Sequence, residues 1–341
     1  MSAALRLAYE VLEVRTRHPF TIARGTTEAY RRVWVRLTDA DGCEGWGEAD
    51  PSPYYGETAE TVVAALHRLE PALPTDPFDL EGAEAALVRA DPGDASARMA
   101  VSAALHDLVG KRLGVPLWKL WGLDPARAPL SSFTIGLAEP EVLRAKVREA
   151  DAWPILKIKV GTPDDERVLR AVREVTDKPL RVDANAGWTP EQAIARLPLL
   201  EEMGVELIEQ PVPPGDVAGL AAVHRASRIP IVADESCRVA ADIPPLAGAV
   251  DGISIKLAKC GSLREALRMV AVARAHRLSV MVGCMVETSL GITAAAHLTP
   301  LLDVVDLDGA ALLAQDPFTG ASIDGGRIAL PTAPGLGVTK R

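Results

Sequence analysis

The feature that most restricts how this chain can fold is a repeat. From Ser131 onward a short apolar run, a loop and a helical stretch recur at a typical spacing of about 25 residues. The apolar runs fall at 132–135, 155–160, 180–184, 205–209, 229–233, 252–257, 279–283 and 304–308, and helical spacing separates most of them, for example at 163–175, 190–202 and 262–276. Strand, loop and helix in this order are βα units with right-handed crossovers. Eight of them predict a closed parallel barrel. The eighth strand is followed by little helix, so the expected fold class is α/β, a TIM-like (β/α)7β barrel.

The residues before the repeat have a different texture. Segments 5–14 and 32–38 alternate like strands, and Asp41-Gly42 is a hairpin signal between 33–37 and 43–48. Segments 57–70 and 95–113 have helical spacing, the second closed by Gly114 with Pro116 beyond. The expected organisation is an α+β capping domain over 1–125, the barrel over 126–315, and a Gly- and Pro-rich tail over 316–341 that packs back on the cap.

Bulk properties narrow the function. The 341 residues, 48% apolar, suffice for about two domains. No run of about 18 apolar residues offers a spanning helix. The opening residues Met1-Ser2-Ala3-Ala4 lack the basic-then-apolar layout of a leader, which suggests a cytoplasmic chain. A net charge of −9 without a basic stripe argues against nucleic acid or an anionic membrane as partner. Cys43, Cys237, Cys260 and Cys284 are scattered, which excludes a zinc ribbon or a disulfide framework and suggests small buried thiols. The barrel flanks are compatible with a homo-oligomer, though no stripe marks an interface.

Three carboxylates close three successive strands: Asp183, Glu209 and Asp234, separated by 26 and 25 residues. Equal spacing places them at one height on the C-terminal face, where barrel active sites are built. Taken singly, each acid could cap a helix or pair with Lys or Arg. Together they repel unless a cation joins them, and hard oxygen ligands select Mg²⁺, with Mn²⁺ as substitute.

Lysines occupy the flanking walls. Lys157 and Lys159 lie two apart in the second strand and share a face, and Lys256 lies in the sixth. Strands two and six oppose one another in a ring of eight, so a ligand at the carboxylates has an amine on each side. That suits removing a proton from one face of a carbon and returning one to the other. A metal-bound carboxylate stabilises the enediolate formed on deprotonation, and the base needs a depressed pKa to be neutral near pH 7. Salt bridges from Lys157 and Lys159 to the acids are the plainer reading, and Lys259 is the alternative inward residue if the sixth strand ends early.

Lys157-Ile158-Lys159, Asp183-Ala184-Asn185, Glu209-Gln210-Pro211, Asp234-Glu235-Ser236, Lys256-Leu257-Ala258-Lys259 and Gly45-Trp46-Gly47-Glu48-Ala49 together resemble the muconate-lactonizing subgroup of the enolase superfamily over nearly the whole chain. The resemblance implies Asp183, Glu209 and Asp234 as Mg²⁺ ligands, Lys159 and Lys256 as the acid/base pair, and Lys157 as support for Lys159 and the substrate carboxylate. Asp306-Leu307-Asp308 is similar to the Asp-x-Asp motif with which dipeptide epimerases hold a free α-ammonium. Turn-capping or salt-bridged aspartates remain the alternative. The expected reaction is epimerisation of a dipeptide like L-Ala-L-Glu. Other activities of the subgroup, o-succinylbenzoate synthase, N-succinylamino acid racemase or a further cycloisomerase, stand as alternatives. Cys284 and Met285 sit where such enzymes line the pocket, or serve packing. In the loop read over 18–27, Arg24 is the candidate for a substrate's second carboxylate, with a surface role as the alternative. Thr134 is a candidate hydrogen-bonding partner of the substrate, and Tyr54 and Tyr55 belong to a second lid or to packing.

Overall fold

The computed structural model describes residues 5–341; the opening Met1–Ala4, which bear on the leader reading, lie outside them. Strands β1 (Arg6–Ile22), β2 (Gly25–Thr38) and β3 (Glu44–Ala49) form an antiparallel sheet. The β1–β2 hairpin is much longer than the alternation predicts. After a register irregularity between Arg15 and Phe20, pairing resumes at Phe20 with Thr27 and ends at Ile22 with Gly25. The segment 18–27, expected as a loop, is therefore the tip of a ribbon, with Ala23 and Arg24 at its turn.

Helix Ala95–Leu113 lies against this sheet and is buried continuously from Ala95 to Gly110. A helix enclosed all round is one packed between layers. Its approach to β3 explains Gly-Trp-Gly in the cap. A Cβ at Gly45 would stand 1.9 Å from the Ala104 carbonyl oxygen, and one at Gly47 2.0 Å from that of Ala100. Alternation turns Trp46 to the other face, where its ring meets Trp34 at 5.1 Å and Phe318 at 6.2 Å between centroids.

The second sheet has eight parallel strands: β4 (Phe133–Ile135), β5 (Leu156–Lys159), β6 (Leu180–Asp183), β7 (Val205–Glu209), β8 (Ile231–Ala233), β9 (Gly252–Ile255), β10 (Ser279–Gly283) and β11 (Val304–Asp306), each beside its sequence neighbours. The edges meet: Ser131 bridges Val305, and the Ser132 amide donates to the Val305 carbonyl at 3.1 Å. A closed parallel α/β barrel results, as the repeat predicts. Period-2 alternation sorts its side chains. Leu156, Ile158, Leu180, Val182, Ile208 and Ile253 join the large apolar cluster shared with the surrounding helices. Leu207, Val232 and Met281 form a separate small cluster. The residues two positions onward, Glu209, Asp234 and Gly283, then share the inward face at the C-terminal rim.

The tail reaches the N-terminal layer. The Leu336 amide donates to Asp107 Oδ1 at 2.7 Å, Trp118 Nε1 to the Pro331 carbonyl at 2.8 Å, and Lys340 Nζ lies 4.4 Å from the centre of the Trp34 ring. Among the described residues no helix is long and apolar enough to cross a membrane. The four cysteines are free, Cys237 and Cys260 buried, Cys43 and Cys284 partly so.

Candidate active site

Asp183 and Glu209 end β6 and β7 and are direct register partners. Asp234 follows β8, and since Glu209 pairs with Val232 it lies two residues beyond that register. The expectation of one height is corrected to this extent: neighbouring strands of a tilted barrel are staggered. All three carboxylates are at most 1% exposed.

Lysines surround them. Lys157 Nζ donates to Glu209 Oε2 at 3.0 Å, lies 3.6 Å from Asp183 Oδ2, and contacts Asp306. Lys159 Nζ donates to Asp183 Oδ2 and Lys256 Nζ to Asp234 Oδ2, both at 2.6 Å. The salt-bridge reading of the lysines therefore holds as geometry. Lys256 is not on the strand; it follows β9 as N-cap of a short helix, Leu257–Cys260. Lys259, on that helix, also contacts Asp234, but it donates to the Cys237 and Ser254 carbonyls, each at 3.1 Å, and is buried away from the cavity.

These contacts set the protonation states. Burial opposes charge on Lys157 and Lys256, but the acids against them raise both ammoniums well above the ordinary lysine range. The expectation of a depressed base is thus not met at Lys256 by the chain's own charges, because Asp234 and Glu209 outweigh desolvation. Burial likewise pushes Asp183 upward, yet Lys159 and Lys157 bring it down to about 2. Glu209 goes the other way, pushed by burial up to about 7 against the pull of Lys157.

Among the described residues no three acid, histidine or cysteine side chains close into a ready ligand cage; lysine ammoniums fill the cationic role between the acids. Unsatisfied oxygens nonetheless fit a cation. Glu209 Oε1 is buried without a partner, as are Asn185 Oδ1 and Glu235 Oε2 nearby. Carboxylate and amide oxygens of this kind suit a hard divalent ion, with Asp183, Glu209 and Asp234 as the residues able to hold it.

Above the acids opens a cavity of about 500 Å³. Lys157, Lys159 and Lys256 line its floor; Asp306, Asp308, Thr134, Cys284 and Met285 line one side; Arg24 and Tyr54 reach in from the roof. The structure therefore brings these ten candidates onto one surface. Asp306 ends β11 and accepts from Lys157 and from Ser132 Oγ at 2.6 Å; Asp308 accepts from the Thr134 amide, also at 2.6 Å. Burial raises the Asp306 carboxyl, but Lys157 holds it below the usual range. Burial and the charge of Asp306 push Asp308 up to about 7. Arg24 sits 4.3 Å over the Tyr54 ring, and its Nη1 donates to Glu235 Oε1 and to the Asn185 carbonyl, each at 2.9 Å. Tyr55 packs edge-on against Tyr54 and is not part of the cavity wall.

Three further contributors escape sequence reasoning. Glu235 anchors Arg24. Gln210 Oε1 accepts from the Asp234 and Ser236 amides at 2.9 and 3.1 Å, fixing the neighbouring strand's acid. Gly283 leaves room for Lys256, whose Cε would lie 3.0 Å from an added Cβ. A signal exists only in backbone form: Asn185, Ala186 and Gln210 hold positive φ at 46°, 63° and 35°, strain that clusters at functional sites.

Residues 142–341 match the family described as enolase C-terminal domain-like, and residues 7–122 the N-terminal domain of mandelate racemase / muconate lactonizing enzyme. The chain is 42% identical to the L-Ala-D/L-Glu epimerase of Bacteroides thetaiotaomicron over 98% of its own length and 88% of that protein's. It superposes at TM-score 0.93 and 34% identity, over 99% of each chain, on a dipeptide epimerase from Enterococcus faecalis complexed with Mg and L-Leu-L-Tyr. A substrate-liganded L-Ala-D/L-Glu epimerase from Bacillus subtilis gives TM-score 0.94 at 33% identity, over 100% of this chain and 99% of that one. Both halves of the chain match models of one family: the chain belongs to the mandelate racemase / muconate lactonizing enzyme family of the enolase superfamily.

Proposed function

We propose that this chain is a dipeptide epimerase, an isomerase that inverts the α-carbon of the C-terminal residue of a dipeptide like L-Ala-L-Glu. The observation that carries the reading is that Lys159, ending β5, and Lys256, just after β9, line one cavity from positions four strands apart in a ring of eight, with the acids on the arc between. Similarity to epimerases that act on dipeptides supports the same reading.

One lysine takes the α-proton from one face and the other returns a proton to the opposite face. Each Nζ is bound to an acid, so it must leave that acid before it acts, and the lysine that takes the α-proton must first lose an ammonium proton to solvent and stand as a neutral amine. Asp183, Glu209 and Asp234 would hold Mg²⁺, or Mn²⁺ in its place, which would supply positive charge to stabilise the deprotonated substrate. Lys157 orients that carboxylate and neutralises the acids beneath it. Asp308, in the cavity wall and in no ion pair among the described residues, receives the α-ammonium together with Asp306. A succinyl or muconate substrate has no such ammonium and would bring a carboxylate to two acids. Arg24 meets a side-chain carboxylate at the outer end, held in place by Glu235, while Thr134, Cys284 and Met285 complete the wall. Four unpaired thiols fit a reducing cytoplasm.

Incubating L-Ala-L-Glu and a panel of L,L dipeptides in D₂O with Mg²⁺ tests the reading. Proton NMR is expected to lose the α-hydrogen of the C-terminal residue and gain the L,D signals, and EDTA to stop both. No exchange across the panel contradicts it.

A further inference from the structure

A second ionic cluster lies outside the acid–lysine floor. Arg32 of β2 is 3% exposed, as are Asp50 and Glu287, and Glu48 is 2% exposed. Glu48 and Asp50 come from the end of β3 and the residue after it, Glu287 from the loop after β10. Their carboxylates meet. The Glu48 and Asp50 carboxyls lie close enough for one proton to bridge them. A Cβ built on Gly291 would stand 2.8 Å from Glu287 Oε2 and 3.2 Å from Asp50 Oδ2, so both oxygens converge on the gap this glycine leaves.

The cluster grips two loops of the cavity roof. Arg32 Nε donates to the Val286 carbonyl at 2.8 Å and Nη1 to the Pro51 carbonyl at 3.3 Å, while Nε lies 3.4 Å from Asp50 Oδ1. Glu287 Oε1 accepts from the Met285 amide at 2.7 Å. Glu48 Oε1 accepts from the Thr288 amide at 2.8 Å, and its other oxygen from the Thr288 hydroxyl. Met285, Val286, Pro51 and Tyr54 all line the cavity.

One guanidinium cannot balance three buried carboxylates. Fully ionised, the group would carry excess negative charge out of water, which is costly, so protons stay bound instead. We propose that Arg32, Glu48, Asp50 and Glu287 are positioning residues that clamp the loops at 51–54 and 284–288 together, and that the clamp depends on a proton shared among the three acids.

Burial pushes Asp50 and Glu287 up to about 7 and Glu48 well above its ordinary range. The surroundings act on this from several sides: Glu57 adds repulsion at Asp50, Lys256 attracts Glu287, and the Tyr30 ring lies 4.9 Å from the Arg32 guanidinium. Raised acids keep their protons below about 7 and release them above it. On the alkaline side repulsion grows, and the two loops part.

Hydrogen exchange over 284–288 in the full chain, at about pH 7 and about pH 9 with intrinsic exchange corrected, reads the clamp without needing turnover. Wild type is expected to lose protection several-fold at the higher pH. Glu48→Gln and Glu287→Gln, which keep the acceptors but cannot ionise, are expected to lose markedly less. Either variant suffices if the other fails to fold. The effect on catalysis rests on the function proposed above: KM for the dipeptide should rise with pH in wild type while kcat changes little, and this rise should flatten in the variants. Unchanged protection in wild type, or the same loss in the variants, overturns the proposal. A chain that turns over no dipeptide yet shows the expected exchange pattern overturns the function and leaves the clamp standing.

Discussion

Under the proposed function, Asp308 is the side chain on which substrate class turns. It is buried, accepts from the Thr134 amide, and sits beside an aspartate already neutralised by Lys157. A cation arriving there gains a charge-assisted hydrogen bond without displacing one. Asp308→Asn is therefore expected to raise KM for an amine-bearing dipeptide by roughly 30-fold, the equivalent of about 2 kcal/mol, with a smaller effect on kcat. Steady-state kinetics checks this, and an unchanged KM would return the subgroup's amine-free substrates to first place. Asp306 and Asp308 are legible in sequence because two acids two apart at a strand end share a face. Glu235 and Gln210 are not. Their roles, an anchor for Arg24 and a tie to the next strand's backbone, exist only once the strands lie side by side.

At the scale of elements, the βα repeat is readable because each strand is an apolar run bounded by turns, and observed strand limits differ from the expected ones by no more than two residues at either end. The β1–β2 ribbon is the instructive miss. Residues 15–22 contain His18-Pro19 and lack alternation, so nothing local marks a strand; the partner strand and the register irregularity after Arg15 create it. Its extension is what carries Arg24 over the barrel mouth. Packing of the cap rests on Gly45 and Gly47, whose hydrogens touch the backbone of helix Ala95–Leu113. Gly47→Ala is expected to cost at least about 1–3 kcal/mol, seen as a lower thermal midpoint. A midpoint equal to wild type would mean that the helix stands further from β3 than described. Gly283→Ala should behave differently: the new methyl crowds Lys256 Cε, so kcat falls while the thermal midpoint changes little.

The whole molecule buries ionisable groups of both kinds, and their sum sets its pH dependence. Burial raises Asp50, Glu57 and Glu287 to about 7, whereas it depresses His106 and His297 to about 4. A raised acid takes up its proton in the folded chain before the unfolded chain does, so stability increases as pH falls through about 7. A depressed histidine acts oppositely, but only once the unfolded imidazole protonates, below about 6.5. With Mg²⁺ present, the thermal midpoint is therefore expected to be higher at about pH 6.5 than at about pH 8.5, with a smaller further gain per pH unit below about 6.5. A midpoint lower at about pH 6.5 than at about pH 8.5 would contradict the burial of these acids.

The measurement that bears most directly on the central claim follows each single-lysine variant in D₂O, starting separately from the L,L and the L,D dipeptide. Lys159→Ala and Lys256→Ala should each lose epimerisation by about 10²–10⁴-fold. Each should retain α-hydrogen exchange with one configuration only, and the two variants should retain it with opposite ones. Both variants exchanging the same configuration, or either one epimerising near the wild-type rate, would contradict an acid/base lysine on each wall.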